Sequence, residues 1–184
     1  MTLARRALLK NGLGLAVGAG VLASAPMAMA LAGRSVRRLV FDNLHTNETL
    51  DVAYWENGFY QPGGLAAVNH VLRDHRNGEE HRIEPGLLDL LSAVSALMET
   101  TPRFSVISGY RSPATNAMLH SESAQVASGS LHMQGMAIDI RVQGQDLDRL
   151  RGAAETLAIG GVGYYPTSNF VHVDVGKVRA WSGT

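Results

Sequence analysis

Ser130-Leu131-His132-Met133-Gln134-Gly135-Met136-Ala137-Ile138-Asp139 runs from a polar loop into an apolar strand, with a glycine between a histidine and a carboxylate seven positions later. That spacing lets a turn bring both side chains inward, and Met136 to Val142 reads as the strand that follows. A second segment, Phe170-Val171-His172-Val173-Asp174-Val175, alternates with period two. Alternation puts the three valines on one face of a strand and Phe170, His172 and Asp174 on the other. The valine face belongs to a core. His172 and Asp174 then share a side, roughly 7 Å apart at a rise of ~3.3 Å per residue.

Outward from these two segments the chain mixes both periodicities. Arg38 to Asn43 and Leu50 to Trp55 read as a hairpin around the polar turn His45-Thr46-Asn47-Glu48. A helix is expected from Gly64 to about His75. A clearer one starts at Pro85, where Leu87, Leu90, Leu91, Val94, Leu97 and Met98 recur at spacings of three and four. Phe104 to Ile107 reads as a strand, Pro113 to His120 as a short helix, and Leu147, Leu150 and Leu157 mark another helix. Gly161 to Tyr165 and Phe170 to Val175 close the chain as strands. With 184 residues and no internal repeat, a single α+β domain is expected. Strand order cannot be read from these patterns.

Residues 1–30 stand apart. Arg5, Arg6 and Lys10 precede a small-residue apolar stretch, Leu13 to Ala23, and Ala28-Met29-Ala30 has the small-x-small form of a cleavage site. The adjacent arginines resemble a twin-arginine export signal, which gives residues 31–184 as the mature domain and the periplasm as its location. The alternative is a retained anchor, but the apolar stretch is shorter than the ~20 residues a span needs. No stable membrane span is expected after cleavage. Without residues 1–30 the chain has 13 basic and 16 acidic side chains and no Lys/Arg run, which excludes a nucleic-acid partner. The absence of cysteine excludes disulfides, thiolate metal sites and a cysteine nucleophile.

A metal in this chain must therefore sit on histidine and carboxylate. Zinc accepts imidazole nitrogen and carboxylate oxygen, and catalytic sites typically have three protein ligands and one open position. His132, Asp139 and His172 are the candidate set. Neither Gly-x-Ser-x-Gly nor Ser-x-x-Lys occurs, nor does the helical His-Glu-x-x-His pattern.

With Ser108-Gly109-Tyr110-Arg111-Ser112, the Ser130 to Asp139 segment, and Gly161-Val162-Gly163-Tyr164-Tyr165-Pro166 leading into Phe170-Val171-His172-Val173-Asp174, the chain resembles the superfamily of zinc D-Ala-D-Ala carboxypeptidases and murein endopeptidases. The resemblance is strongest to its YcbK-like branch of exported murein endopeptidases and covers nearly all of residues 31–184. It implies the small hedgehog/DD-peptidase fold, a mostly antiparallel sheet with flanking helices. It also implies Zn2+ on His132, Asp139 and His172, and peptidoglycan stem peptides as the substrate of a monomeric enzyme. Arg111 is implied to bind substrate and stabilise the oxyanion, with Ser130 and Tyr110 as further substrate contacts. A loop-holding salt bridge is the alternative for Arg111, and turn capping for Ser130.

One departure stands out. Many relatives carry a carboxylate three residues before the last metal-binding histidine, or a histidine two before it, as general base; here those positions are Asn169 and Phe170. Asp174 is the nearest titratable residue along the strand, either as base or as the carboxylate that orients His172. The resemblance implies an endopeptidase that opens cross-links. A D,D- or L,D-carboxypeptidase is the alternative activity, and a zinc-containing module that binds peptidoglycan without turnover is the alternative class.

Overall fold

The computed structural model describes residues 24–99, 102–123 and 126–183. The elements in chain order are α1 (Ala25–Leu31), β1 (Val36–Asn43), β2 (Thr49–Glu56), β3 (Phe59–Tyr60), α2 (Pro62–Val71), α3 (Pro85–Leu97), β4 (Arg103–Ser108), α4 (Pro113–Glu122), β5 (Ala137–Val142), α5 (Leu147–Leu157), β6 (Gly161–Tyr165), β7 (Phe170–Asp174) and β8 (Arg179–Ser182). A 3-10 turn, Leu131–Gln134, precedes β5. The strands form one sheet in the order β3-β2-β1-β4-β5-β7-β6-β8. Only the β1/β4 and β6/β8 pairs are parallel. The α+β class, the mostly antiparallel sheet and the flanking helices are those expected from the sequence.

The hairpin turn between β1 and β2 is built by Asn43. Its Oδ1 accepts the N–H groups of His45 and Thr46, and its Nδ2 donates to the Val71 carbonyl at 2.8 Å, tying the turn to the end of α2. α3 is buried on almost every side, Leu87, Leu88, Leu91 and Val94 among its wholly enclosed residues, because β1, α1 and α5 surround it. Its one buried carboxylate, Asp89, is matched by the Tyr54 and Tyr60 hydroxyls and by Arg37 at 2.7 Å, as a charge taken from water must be.

α2 is shorter than the sequence suggests. It ends at Val71 rather than near His75 because Asp74 folds the next residues into a turn: its carboxylate accepts the Arg76 N–H, its carbonyl accepts the Gly78 N–H at 2.7 Å, and Gly78 takes φ +77°. Two strands were not anticipated, β3 and β8, both short and at the sheet's edges. α1 was not anticipated either. It contains Ala28-Met29-Ala30, the expected cleavage site, yet it is docked: Met27 and Leu31 are buried and Ser24 Oγ donates to the Leu157 carbonyl at 2.6 Å. The basic and apolar parts of the expected export signal, up to Ala23, lie outside the described residues. Among the described residues no helix is long and apolar enough to cross a membrane.

Alternation in β7 works as the sequence requires. Val171, Val173 and Val175 are buried against the core under α5, leaving Phe170 and His172 on the opposite face. Gly135 turns the chain from the 3-10 turn into β5 at φ +65°, and a Cβ there would overlap the Arg82 carbonyl oxygen. Gly144 shares the conformation (φ +74°) but has open space around it. Gly144→Ala should therefore lower stability by about 1 kcal/mol, the left-handed cost alone. Gly135→Ala should cost about 3 kcal/mol. Urea unfolding of both variants checks this, and equal losses would refute a close approach at Gly135.

Candidate metal centre

Three elements bring the site together. The β5/β7 register sets Asp139 directly opposite His172, and the β4/β5 register sets Ser108 opposite Asp139. His132 arrives from the 3-10 turn, and the loop after β4 grips it twice: the Arg111 N–H donates to the His132 carbonyl at 3.2 Å, and His132 Nδ1 meets the Gly109 carbonyl at 2.8 Å. That loop is held in turn by the Tyr110 N–H donating to the Leu72 carbonyl at 2.7 Å. A side chain at Gly109 would collide with Leu72.

Hydrogen-bond chemistry fixes which ring nitrogens face the centre. A carbonyl only accepts, so His132 Nδ1 carries a proton and presents Nε2 inward. His172 Nε2 lies 3.0 Å from Asp174 Oδ2; it donates to that carboxylate and presents Nδ1 inward. His132 Nε2 is 3.2 Å from both Asp139 Oδ1 and His172 Nδ1, and His172 Nδ1 is 2.8 Å from Asp139 Oδ1. Ligand atoms of all three residues lie within 4.8 Å of one another. Three electron-rich atoms thus converge on one point, an arrangement that calls for a proton or a cation between them. The donor set, with an imidazole whose far nitrogen is held by a carboxylate, fits a metal such as zinc. Among the described residues no other group of three or more such side chains is assembled.

The charges follow from this packing. Burial opposes a charge on His172, but its hydrogen bonds to Asp139 and Asp174 outweigh that and push it up to about 9. Burial would raise Asp139, yet the two histidines hold it far below the usual carboxylate range. Burial would also raise Asp174, but His172, Arg179 and the N–H groups of Gly161 and Gly176 bring it well down.

Asp174, expected as the base or as the orienting carboxylate, is fully enclosed and sits behind the His172 ring, away from the converging atoms. Oδ1 accepts the Gly161 and Gly176 N–H groups at 2.9 and 2.8 Å, and Oδ2 accepts Arg179 at 2.7 Å besides His172. Its contact with His172 Nε2 is the one an orienting carboxylate makes, one of the two roles expected of it. Tyr110 is also turned away: its ring stacks on His81 at 4.7 Å and its hydroxyl donates to Glu79 at 2.9 Å. It is buried, and it is not among the described residues that line the cavity.

Arg111 and Ser130 do face the cavity, a hollow of about 420 Å³ that opens on the cluster. Arg111 is 9% exposed and loosely held: 3.3 Å to Asn116 Oδ1, 3.4 Å to Ser108 Oγ and 3.5 Å to Asp139 Oδ2, with its Nε unpartnered. Burial lowers its pKa, and its side chain lines the cavity. Ser130 Oγ caps the 3-10 turn by accepting the His132 N–H at 3.4 Å, and its hydroxyl also borders the cavity. Arg179, Trp181 and Tyr165 complete one wall. Sequence reasoning missed Arg179 and Trp181, which lie on the four-residue β8 where no periodic signal exists.

The raised His172 has a consequence for the metal-free protein. Its folded value near 9 exceeds the unfolded value of about 6.5, so its contribution to stability is complete below pH about 6.5 and is lost as pH rises through about 9. The Tm of chelator-treated protein should fall over that window. Adding metal, which takes the proton's place, should remove the fall. Thermal scans at a series of pH values test this, and a metal-free Tm that stays flat from pH 6.5 to 9 would contradict it.

The family model described as "Peptidoglycan L,D-endopeptidase MepK", a peptidase M15 model, matches residues 31–181. The chain is 41% identical over 177 residues to "Peptidoglycan L,D-endopeptidase MepK" of Escherichia coli (strain K12), covering 96% of each protein. It is 39% identical over 171 residues to "Probable peptidoglycan L,D-endopeptidase MepK" of Haemophilus influenzae, covering 92% of this chain and 91% of that protein. With the model spanning nearly the whole folded domain and these relatives matching end to end, the chain belongs to the MepK family of M15 peptidases.

Proposed function

We propose that this chain is a zinc-dependent murein endopeptidase that hydrolyses peptide cross-links of bacterial peptidoglycan, working in the periplasm as a monomer after export by a twin-arginine signal in residues 1–30. The observation that carries the reading is the His132–Asp139–His172 convergence at the floor of an open cavity with a buried, under-occupied arginine beside it. Family membership supports the same activity, since the relatives are named as peptidoglycan endopeptidases.

His132 Nε2, Asp139 Oδ1 and His172 Nδ1 would hold the ion. Zinc bound there supplies Lewis acidity, which activates water and polarises the scissile carbonyl. The remaining work belongs to side chains. Asp174 keeps the His172 ring in one tautomer and orientation. Arg111 offers its free donors to the oxygen that gains charge as water adds to the carbonyl carbon; a guanidinium suits this because it is permanently charged and has paired donors. Ser130 can hydrogen-bond the peptide backbone while still capping the turn. The second reading, a peptidoglycan-binding module without turnover, has one observation behind it: among the described residues the cavity wall has no carboxylate other than Asp139. The docked α1 also bears on processing, because cleavage after Ala30 would remove Met27 from the core and break the Ser24–Leu157 hydrogen bond.

Incubation of cross-linked muropeptides with the purified chain, read by mass spectrometry, should convert dimers to monomers. His132→Ala should abolish both stoichiometric zinc and product. Arg111→Lys should retain zinc and lose about 10²-fold in kcat. Release of a terminal D-Ala alone would mean a carboxypeptidase, and bound zinc with no product would favour the binding module.

Asp174→Asn separates the orienting role from the base. An orienting carboxylate predicts zinc affinity weakened about 10- to 100-fold, with turnover recovered at saturating zinc. Turnover still lost at full zinc occupancy would restore Asp174 as the base.

A further inference from the structure

Tyr165, the last residue of β6, lines the cavity together with Arg111 and the three converging residues. That hydroxyl lies 2.9 Å from Trp181 Nε1. An indole nitrogen only donates, so the phenol oxygen accepts there and its own proton is left to find another acceptor. Among the described residues none takes it. Every arginine in the wall is a donor too, and the single carboxylate there among the described residues, Asp139, points its Oδ1 at the histidines and its Oδ2 towards Arg111. A ligand in the cavity can supply an acceptor for the Tyr165 proton.

The phenol is also held firmly. Its ring stacks on Phe170, its cross-strand partner, at 4.4 Å between centroids. Trp181 is fixed in turn. It lies over Gly163, where a Cβ would overlap the indole ring. The Arg179 guanidinium covers it at 4.9 Å from the ring centroid, and His172 lies 5.2 Å away. Arg179 is anchored by Asp174, the same carboxylate that orients His172. One buried carboxylate thus fixes both a converging imidazole and, through Arg179 and Trp181, the phenol. Arg111 and Tyr165 line the same cavity as the three converging residues, so two donor side chains border it.

We propose that Tyr165 is a catalytic residue whose hydroxyl donates a hydrogen bond to the scissile carbonyl oxygen as it becomes anionic, sharing that oxygen with Arg111, and that Trp181 is the positioning residue that aims it. This rests on the peptidase reading above and extends it. Tyr165 acts only as a hydrogen-bond donor; no bond to it forms or breaks.

Tyr165→Phe keeps the ring and the stack on Phe170 and removes only the hydroxyl. In the zinc-loaded chain kcat on cross-linked muropeptide should fall about 10²-fold, the scale for one lost oxyanion donor. KM, zinc content and Tm should stay close to the parent's. Affinity for a phosphinate peptide, whose tetrahedral anionic group imitates the charged oxygen, should drop by a similar factor. In metal-free protein the Trp181 indole N–H resonance should move in the variant while that of Trp55 stays in place. Trp181→Phe should also lower kcat, but should add nothing in the Tyr165→Phe background. A Tyr165→Phe enzyme with kcat and phosphinate affinity within about threefold of the parent overturns the assignment alone. A parent chain that cleaves no muropeptide overturns the peptidase reading, and this inference with it.

Discussion

Lone pairs on His132 Nε2, His172 Nδ1 and Asp139 Oδ1 are held within 2.8 to 3.2 Å of one another, and that crowding is the constraint on which the rest of the site depends. Electron-rich atoms do not stay so close unless a positive charge lies between them. Without a metal, the charge is the proton that Asp139 and Asp174 force onto His172 against its burial; with one, it is the cation. The fold keeps the atoms together by covalent and strand geometry: a direct cross-strand pairing for Asp139 and His172, and two backbone hydrogen bonds from one loop for His132.

The core explains why the registers do not slip. Val171 and Val173 are completely buried and Val175 nearly so, and a one-residue shift of β7 would send them to the cavity side and His172 into the apolar layer. Ile138 and Ile140 place the same restriction on β5 around Asp139. Stability and site geometry are therefore secured by the same residues, read on opposite faces of two strands. Asp174 is the exception, a charge on the cavity-facing side of β7 that is wholly enclosed. It is tolerated because four donors surround it, two backbone N–H groups, an imidazole and a guanidinium, the condition under which a buried carboxylate stays ionised.

How much of this could be read in the sequence depended on whether the signal was local. Valine alternation located β7 and the face of His172. The glycine after His132 located the reversal, and Pro85 with its leucine spacing located α3. What escaped was either short or non-local. β8 has four residues and joins the sheet in parallel beside β6, so nothing in Arg179-Ala180-Trp181-Ser182 announces that an indole will lie over Gly163. Neighbours in a motif need not face the same way: the Tyr110 ring lies on His81 while Arg111, one residue on, lines the cavity. Ala28-Met29-Ala30 suits both a cleavage site and a small-residue helix, and only the buried Met27 and Leu31 on either side reveal the docked helix.

Asn169, three residues before His172, lies in the tight turn between β6 and β7 with φ +54°, its N–H donating to the Pro166 carbonyl at 3.3 Å. Outside glycine, asparagine and aspartate are among the few residues that adopt this left-handed conformation readily. Asp174 has its hydrogen-bond partners behind the His172 ring. On the proposed reading, the side chains that face substrate are therefore donors, Arg111, Ser130 and Tyr165. Their leverage is on the charge that develops on the carbonyl oxygen, more than on removing a proton from the attacking water.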